Sequence, residues 1–359
     1  MSNSHRFALL DGIRGIAAVF VLTRHTASFW DLSFHRSYLA VDLFFLLSGF
    51  VIAHAYGTQL DQKQLKPLDF IVLRLIRLYP VFLLSLLICL VWFAAQRWVF
   101  AVPVSAPEQL GAAALLTALM LPPGLLLGGA LFPINSPYWS LFFELVMNFI
   151  YGYTKHLLRE KHHWLVVGAS FLVLTAVAIR HGSLDIGYGH GIQSNVGGFA
   201  RASFGIFLGA LLQSRFESMR AIARRVPPAL AVVLIVLVLI SPSAGTFDAS
   251  IDLACVGLIF PVCVASAATW TEGRLQKLWL FLGSASYPIY VLHVPTGQLL
   301  SLALGGLERN WAPISGILLV IVLLQVSALI ERRLDVPLRR CLNQRFRHWR
   351  VAHCQPMKG

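Results

Sequence analysis

A chain of 359 residues with 57% hydrophobic and only 13% charged residues, and a mean hydropathy of +0.71, is too apolar for a water-soluble domain. Soluble domains carry about 25% charged residues. The net charge of +13 gathers in loops rather than on one face, as cytoplasmic connections of a membrane protein require, so no nucleic-acid partner is implied.

The first apolar segment, at about 12–30, carries Arg14 and His25. A charge at membrane depth costs a few kcal/mol or more and persists where it serves a site. Eleven residues is close to three helical turns, so the two groups share a face and lie roughly 16 Å apart along the axis. Arg14, Arg24 and His25 in the apolar run, with no small-residue cleavage site after it, predict a retained helix rather than a cleaved signal peptide. The second span, at about 39–57, holds Asp42 near its outer end and Ser48-Gly49 further in, a pair that also suits close helix packing. Arg74 and Arg77 open the third, at about 76–96; arginines three apart share a face and suit a phosphate-bearing ligand, although basic residues there also mark topology.

Residues 110–128, bounded by Pro122-Pro123, are short for a span, and parity of crossings makes them a re-entrant or surface helix. The fourth span, at 137–153, begins with Tyr138-Trp139 and carries Glu144. Further spans follow at about 163–180, 198–214, 228–242, 249–270, 278–300 and 313–331, the ninth containing His293. Basic clusters at Lys63–Arg77, at Lys155, Arg159 and Lys161, at Arg215–Arg225, at Arg274 and Lys277, and from Arg332 to Lys358 put both termini in the cytoplasm. The expected architecture is an all-α bundle of about ten transmembrane helices, a single domain over 1–340 with a short basic tail at 341–359. Five cysteines without a Cys-x-x-Cys pair, Cys354 among them, indicate neither metal nor disulfide framework.

Depth along these helices predicts two polar levels. Arg14, Arg74 and Arg77 form an inner, anion-binding level. His25, Asp42, Glu144 and His293 form an outer acid–base level, in which a carboxylate orients an imidazole. Asp42 has alternative partners in Arg24, Arg36 or another buried cation, and His293 an alternative role as a helix–helix contact.

Five segments in this order resemble the acyltransferase-3 family of integral-membrane acyltransferases: Leu10-Asp-Gly-Ile-Arg14 with His25, Val41–Phe50, Arg74-Leu-Ile-Arg77-Leu-Tyr-Pro80, Tyr138–Glu144 and Gly283–His293. The resemblance implies transfer of an acyl group, acetyl by expectation, from cytosolic acyl-CoA to a carbohydrate or lipid-linked glycan hydroxyl across the bacterial inner membrane. No cofactor is permanently bound and no metal is implied; membrane lipids surround the bundle. It makes Arg14 and His25 the essential pair, Arg74 and Arg77 the coenzyme-side arginines, and Trp139 and Glu144 a paired element. Many relatives carry a further C-terminal hydrolase-like domain that this chain does not show, so acceptor specificity does not carry over. The expected chemistry has His25 as general base oriented by Asp42 or Glu144. Ser48 joins the acyl-CoA side, with Ser48, Tyr138 or a backbone amide as oxyanion donor; Tyr138, Trp139 and His293 fall on the acceptor side. The alternative is a proton-coupled transporter or flippase, against which the lack of visible internal repeats weighs.

Overall fold

The computed structural model describes residues 7–98, 107–157, 160–271 and 273–353; Arg159, Cys354 and Lys358 lie outside them. Among these residues the chain is helical, with no named strand. In order come α1 (Ala8–His25), α2 (Ala40–Asp61), α3 (Pro67–Trp98), α4 (Pro107–Ala118), α5 (Gly124–Leu127) and α6 (Tyr138–Thr154). Next are α7 (Glu160–His181), α8 (Ile192–Ser214), α9 (Phe216–Ala223), α10 (Pro228–Ile240), α11 (Asp248–Ala254) and α12 (Phe260–Ala268). The last are α13 (Gln276–Leu304), α14 (Ile314–Ile330) and α15 (Val336–His353), π-turns joining α11 to α12 and α14 to α15.

Among the described residues, six helical stretches are long and apolar enough to cross a membrane, and a seventh if α9 and α10, bent by 89°, count as one. The expected ten is not reached on these criteria, and α1, α6 and α13 fall short for separate reasons. α1 has Asp11, Arg14 and Arg24 in 18 residues, α6 is only 17 residues long, and α13 is interrupted by Pro288, His293 and Pro295. Over 110–128 the chain forms α4, which is 12 residues long, and the one-turn α5, the break falling at Met120 with φ 55° and at Pro122-Pro123. Ala113 of α4 is buried with Leu86 and Cys89 of α3. The expected domain end at 340 falls inside α15.

Two close helix pairs set the frame. α1 runs beside α13 because Gly15 meets the Leu282 backbone and Gly283 the Asp11 backbone, contacts that any Cβ would block. α2 lies on α8 in the same way: Gly49 abuts the Ile206 carbonyl and Gly209 the Leu46 carbonyl. Small residues are how helices approach in lipid, where no hydrophobic drive pulls them together. The packing role read for Gly49 is therefore observed. Pro295 has no N–H for the carbonyl of Val291 four residues earlier. Asn135 Nδ2 donates to that oxygen at 3.0 Å and Ser85 Oγ also donates to it, so the kinked part of α13 around His293 is held from outside.

Candidate active site

The arginines of the inner level come together. A cavity of about 140 Å³ is lined by Arg14, Ser48, Arg74, Arg77, Glu144, Tyr287 and Tyr290 among others. Each guanidinium is steadied by a carboxylate. Arg74 Nη2 donates to Glu144 Oε1 at 2.8 Å, Arg77 Nη1 to Asp335 Oδ2 at 3.3 Å, and Arg14 lies 3.6 Å from Asp11. Ser48 Oγ donates to the same Glu144 oxygen at 2.6 Å. Arg77 also stacks over the Tyr287 ring, 5.3 Å from its centroid.

Glu144 thus belongs to the inner level, a correction to its expected outer place. The reason is axial: it lies six residues into α6, about 9 Å from the outer end, whereas α1 terminates at His25 and leaves that imidazole at the outer mouth. Asp42 is corrected too. Both of its oxygens accept from Arg201, at 2.9 Å from Nε and 2.7 Å from Nη2, and the pair is almost wholly buried. Arg201 also donates to the carbonyls of Ile186 and Tyr38, at 2.6 and 3.0 Å, which spreads its charge over four acceptors. Neither carboxylate orients His25.

A second histidine sits where a carboxylate was expected. His293 Nε2 lies 3.2 Å from His25 Nδ1, with ring centroids 5.0 Å apart. His293 Nδ1 faces the Ile289 carbonyl at 3.1 Å, and His25 Nδ1 faces the Val21 carbonyl at 2.9 Å. A carbonyl only accepts, so this geometry assigns the proton of each ring to Nδ1. His25 then shares its N–H between Val21 and the bare Nε2 of His293, and its own Nε2 keeps a lone pair. His293 is fully buried, while His25 opens onto an outer cavity of about 200 Å³ with Arg24, Tyr38, Trp139, Asp185, Tyr188 and Arg201 in its lining.

Tyr290, which lines the inner cavity, precedes His293 by one helical turn; its hydroxyl lies 2.5 Å from Ser140 Oγ, and its ring is 5.2 Å from that of Phe44. Trp139 lines the outer cavity, with Arg201 stacked over it at 5.2 Å. Tyr138 does not: it is buried and donates to Ser85 at 2.8 Å, in the network that braces α13.

Sequence reasoning missed Arg201, Asp185 and Tyr290. Arg201 was detectable as a lone cation inside the apolar, Gly-rich run of α8, a signature that calls for a buried carboxylate partner. Asp185 lies in the loop 182–191 and forms an ion pair with Arg24, which nothing in the local pattern announces.

The class of this all-helical membrane protein, an integral-membrane acyltransferase, follows from its family. The family model for an acyltransferase domain matches residues 7–330, and the chain belongs to the acyltransferase-3 family. It is 43% identical over 188 residues to a protein described as protein 2 in the picA locus of Rhizobium radiobacter, covering 49% of this chain and 97% of that one. No solved structure matches.

Proposed function

We propose that this acyltransferase moves an acetyl group from cytosolic acetyl-CoA to a hydroxyl of a carbohydrate or lipid-linked glycan at the outer face of the bacterial inner membrane. Both termini are cytoplasmic, and residues 1–340 act as one ten-span domain ahead of the basic tail. The observation that carries the reading is the His25–His293 pair, one turn along α13 from Tyr290 of a cavity that three arginines help line.

The donor's phosphates lie on Arg74 and Arg77, with Arg14 at the deep end, and its thioester reaches Tyr290. The acceptor occupies the outer cavity against Trp139, with the reacting hydroxyl at His25 Nε2. His25 takes the hydroxyl proton as the oxygen attacks the thioester carbon; collapse breaks the carbon–sulfur bond, and the proton ends on the departing thiolate. His293 is a positioning residue, holding the His25 N–H so that Nε2 points at the acceptor. Of the donors expected at the carbonyl, the Tyr138 hydroxyl is committed to Ser85 and that of Ser48 to Glu144, which leaves a backbone amide. A general base contributes about 10²–10⁴-fold.

The test is thiol release from acetyl-CoA by membranes containing the full chain, with and without an acceptor glycan fraction. His25→Ala, still folded and inserted, should lose at least about 10²-fold of the transfer rate. Near-normal transfer by that variant would remove His25 from the chemistry.

A further inference from the structure

Arg77, which lines the inner cavity, is paired with a residue that the family match does not cover. Asp335 closes the π-turn Glu331–Asp335, beyond the matched residues 7–330, and it is fully buried. Its Oδ2 accepts from Arg77 of α3 at 3.3 Å and from Arg339 of α15 at 2.8 Å. Two guanidiniums held on one oxygen lie within about 6 Å of each other, closer than like charges settle without an anion between them. Glu331 adds a second contact to Arg339 at 3.3 Å. Further along, Arg350 Nε reaches Asp69 at the start of α3 at 3.1 Å, so α15 is fastened to α3 at both ends. Single-turn π-bulges inside helices recur at functional positions, and this one ends at Asp335, which pairs with Arg77.

The bland account of these arginines is topology, since cytoplasmic ends are basic. Loop charges that only set orientation need no partner and stay solvated. Arg339 instead shares a buried carboxylate with a residue that lines the cavity. A donor whose diphosphate lies on Arg74 and Arg77, with its thioester pointing into the membrane, must leave its nucleotide on the cytoplasmic side. The next cation along that line is Arg339, followed by exposed Arg332, Arg333 and Arg340.

We propose that α15 forms part of the donor site: Arg339, set beside Arg77 by Asp335, binds the 3′-phosphorylated adenosine diphosphate end of coenzyme A. The proposal rests on the acyl-CoA reading above. Asp335 is a positioning residue for both guanidiniums, and Arg339 touches the donor's phosphates.

The full chain, purified in lipid nanodiscs, is titrated with coenzyme A, with adenosine 3′,5′-bisphosphate and with acetyl-pantetheine, which lacks the nucleotide. The wild type should bind the first two. Arg339→Ala should weaken both about tenfold or more, leave acetyl-pantetheine turnover unchanged, and be partly rescued by Arg339→Lys. Asp335→Asn should weaken coenzyme A similarly. Unaltered coenzyme A binding by Arg339→Ala, or an equal loss with acetyl-pantetheine, overturns the subsite. The ligand-free melting temperature separates misfolding from lost binding, and Arg339→Lys keeps a cation beside buried Asp335. A wild type that binds no coenzyme A sinks the acyl-CoA reading itself, and the subsite with it.

Discussion

Replacing His293 by leucine removes one of two acceptors for the His25 N–H and leaves the other. The partner lost stands at 3.2 Å, and the Val21 carbonyl kept stands at 2.9 Å. A net hydrogen bond is worth about 1 kcal/mol, and the retained carbonyl still selects the Nδ1–H tautomer. His293→Leu should therefore lower the rate of acetyl transfer by about fivefold to tenfold, far less than loss of the base itself. Leucine is close in volume, and Ile289 is a backbone carbonyl within α13, so the substitution leaves no polar group in the core newly stranded. The assay is single-turnover thiol release from acetyl-CoA with acceptor glycan present, on detergent-solubilised protein checked for an unchanged melting temperature. If His293→Leu proved as inactive as His25→Ala, His293 would be carrying a proton or an acyl group itself. If it were fully active, His293 would have no part in positioning His25.

Three other outcomes follow from the same geometry. Arg201→Met strands Asp42 in the core without its partner, which should cost about 3–5 kcal/mol; loss of a cooperative thermal transition, or a fall in melting temperature recovered by pairing it with Asp42→Leu, checks this, and an unchanged transition refutes it. Glu144→Gln keeps an acceptor for Ser48 and Arg74 but removes the charge, so the acetyl-CoA KM should shift severalfold with the acceptor KM unmoved; the reverse pattern would return Glu144 to the acceptor side. Gly49→Val forces a branched side chain onto the Ile206 carbonyl. Overpacking of this kind costs about 1–3 kcal/mol or more, and expression of folded protein in membranes should fall sharply, while wild-type yield would contradict the close α2–α8 contact.

The inner site was readable because its arginines lie near helix ends, where the rise per residue translates sequence directly into depth. Arg14, Arg74 and Arg77 were expected together and line one cavity. The outer site was half legible. His25 stands out as an ionisable group in an apolar run, and Trp139, singled out with Tyr138, lines the same cavity as His25. The error over Glu144 came from the end of α1: taking the helix to residue 30 lowers His25 into the membrane, whereas the helix stops at His25 and the carboxylate on α6 lies too deep to meet it.

What the sequence determined by itself was the class of protein, the positions of its charged residues along each apolar segment, and the motifs that define its family. Composition and periodicity encode those directly. Partnership was decided only in three dimensions. Asp42 meets Arg201 across 159 residues, His25 meets His293 across 268, and Arg77 meets Asp335 across 258. Each depends on how far a helix is rotated about its own axis and which neighbour its small residues admit. A buried charge requires a partner, but the chain states only that one must exist; the packing of α2 on α8 and of α1 on α13 decides which.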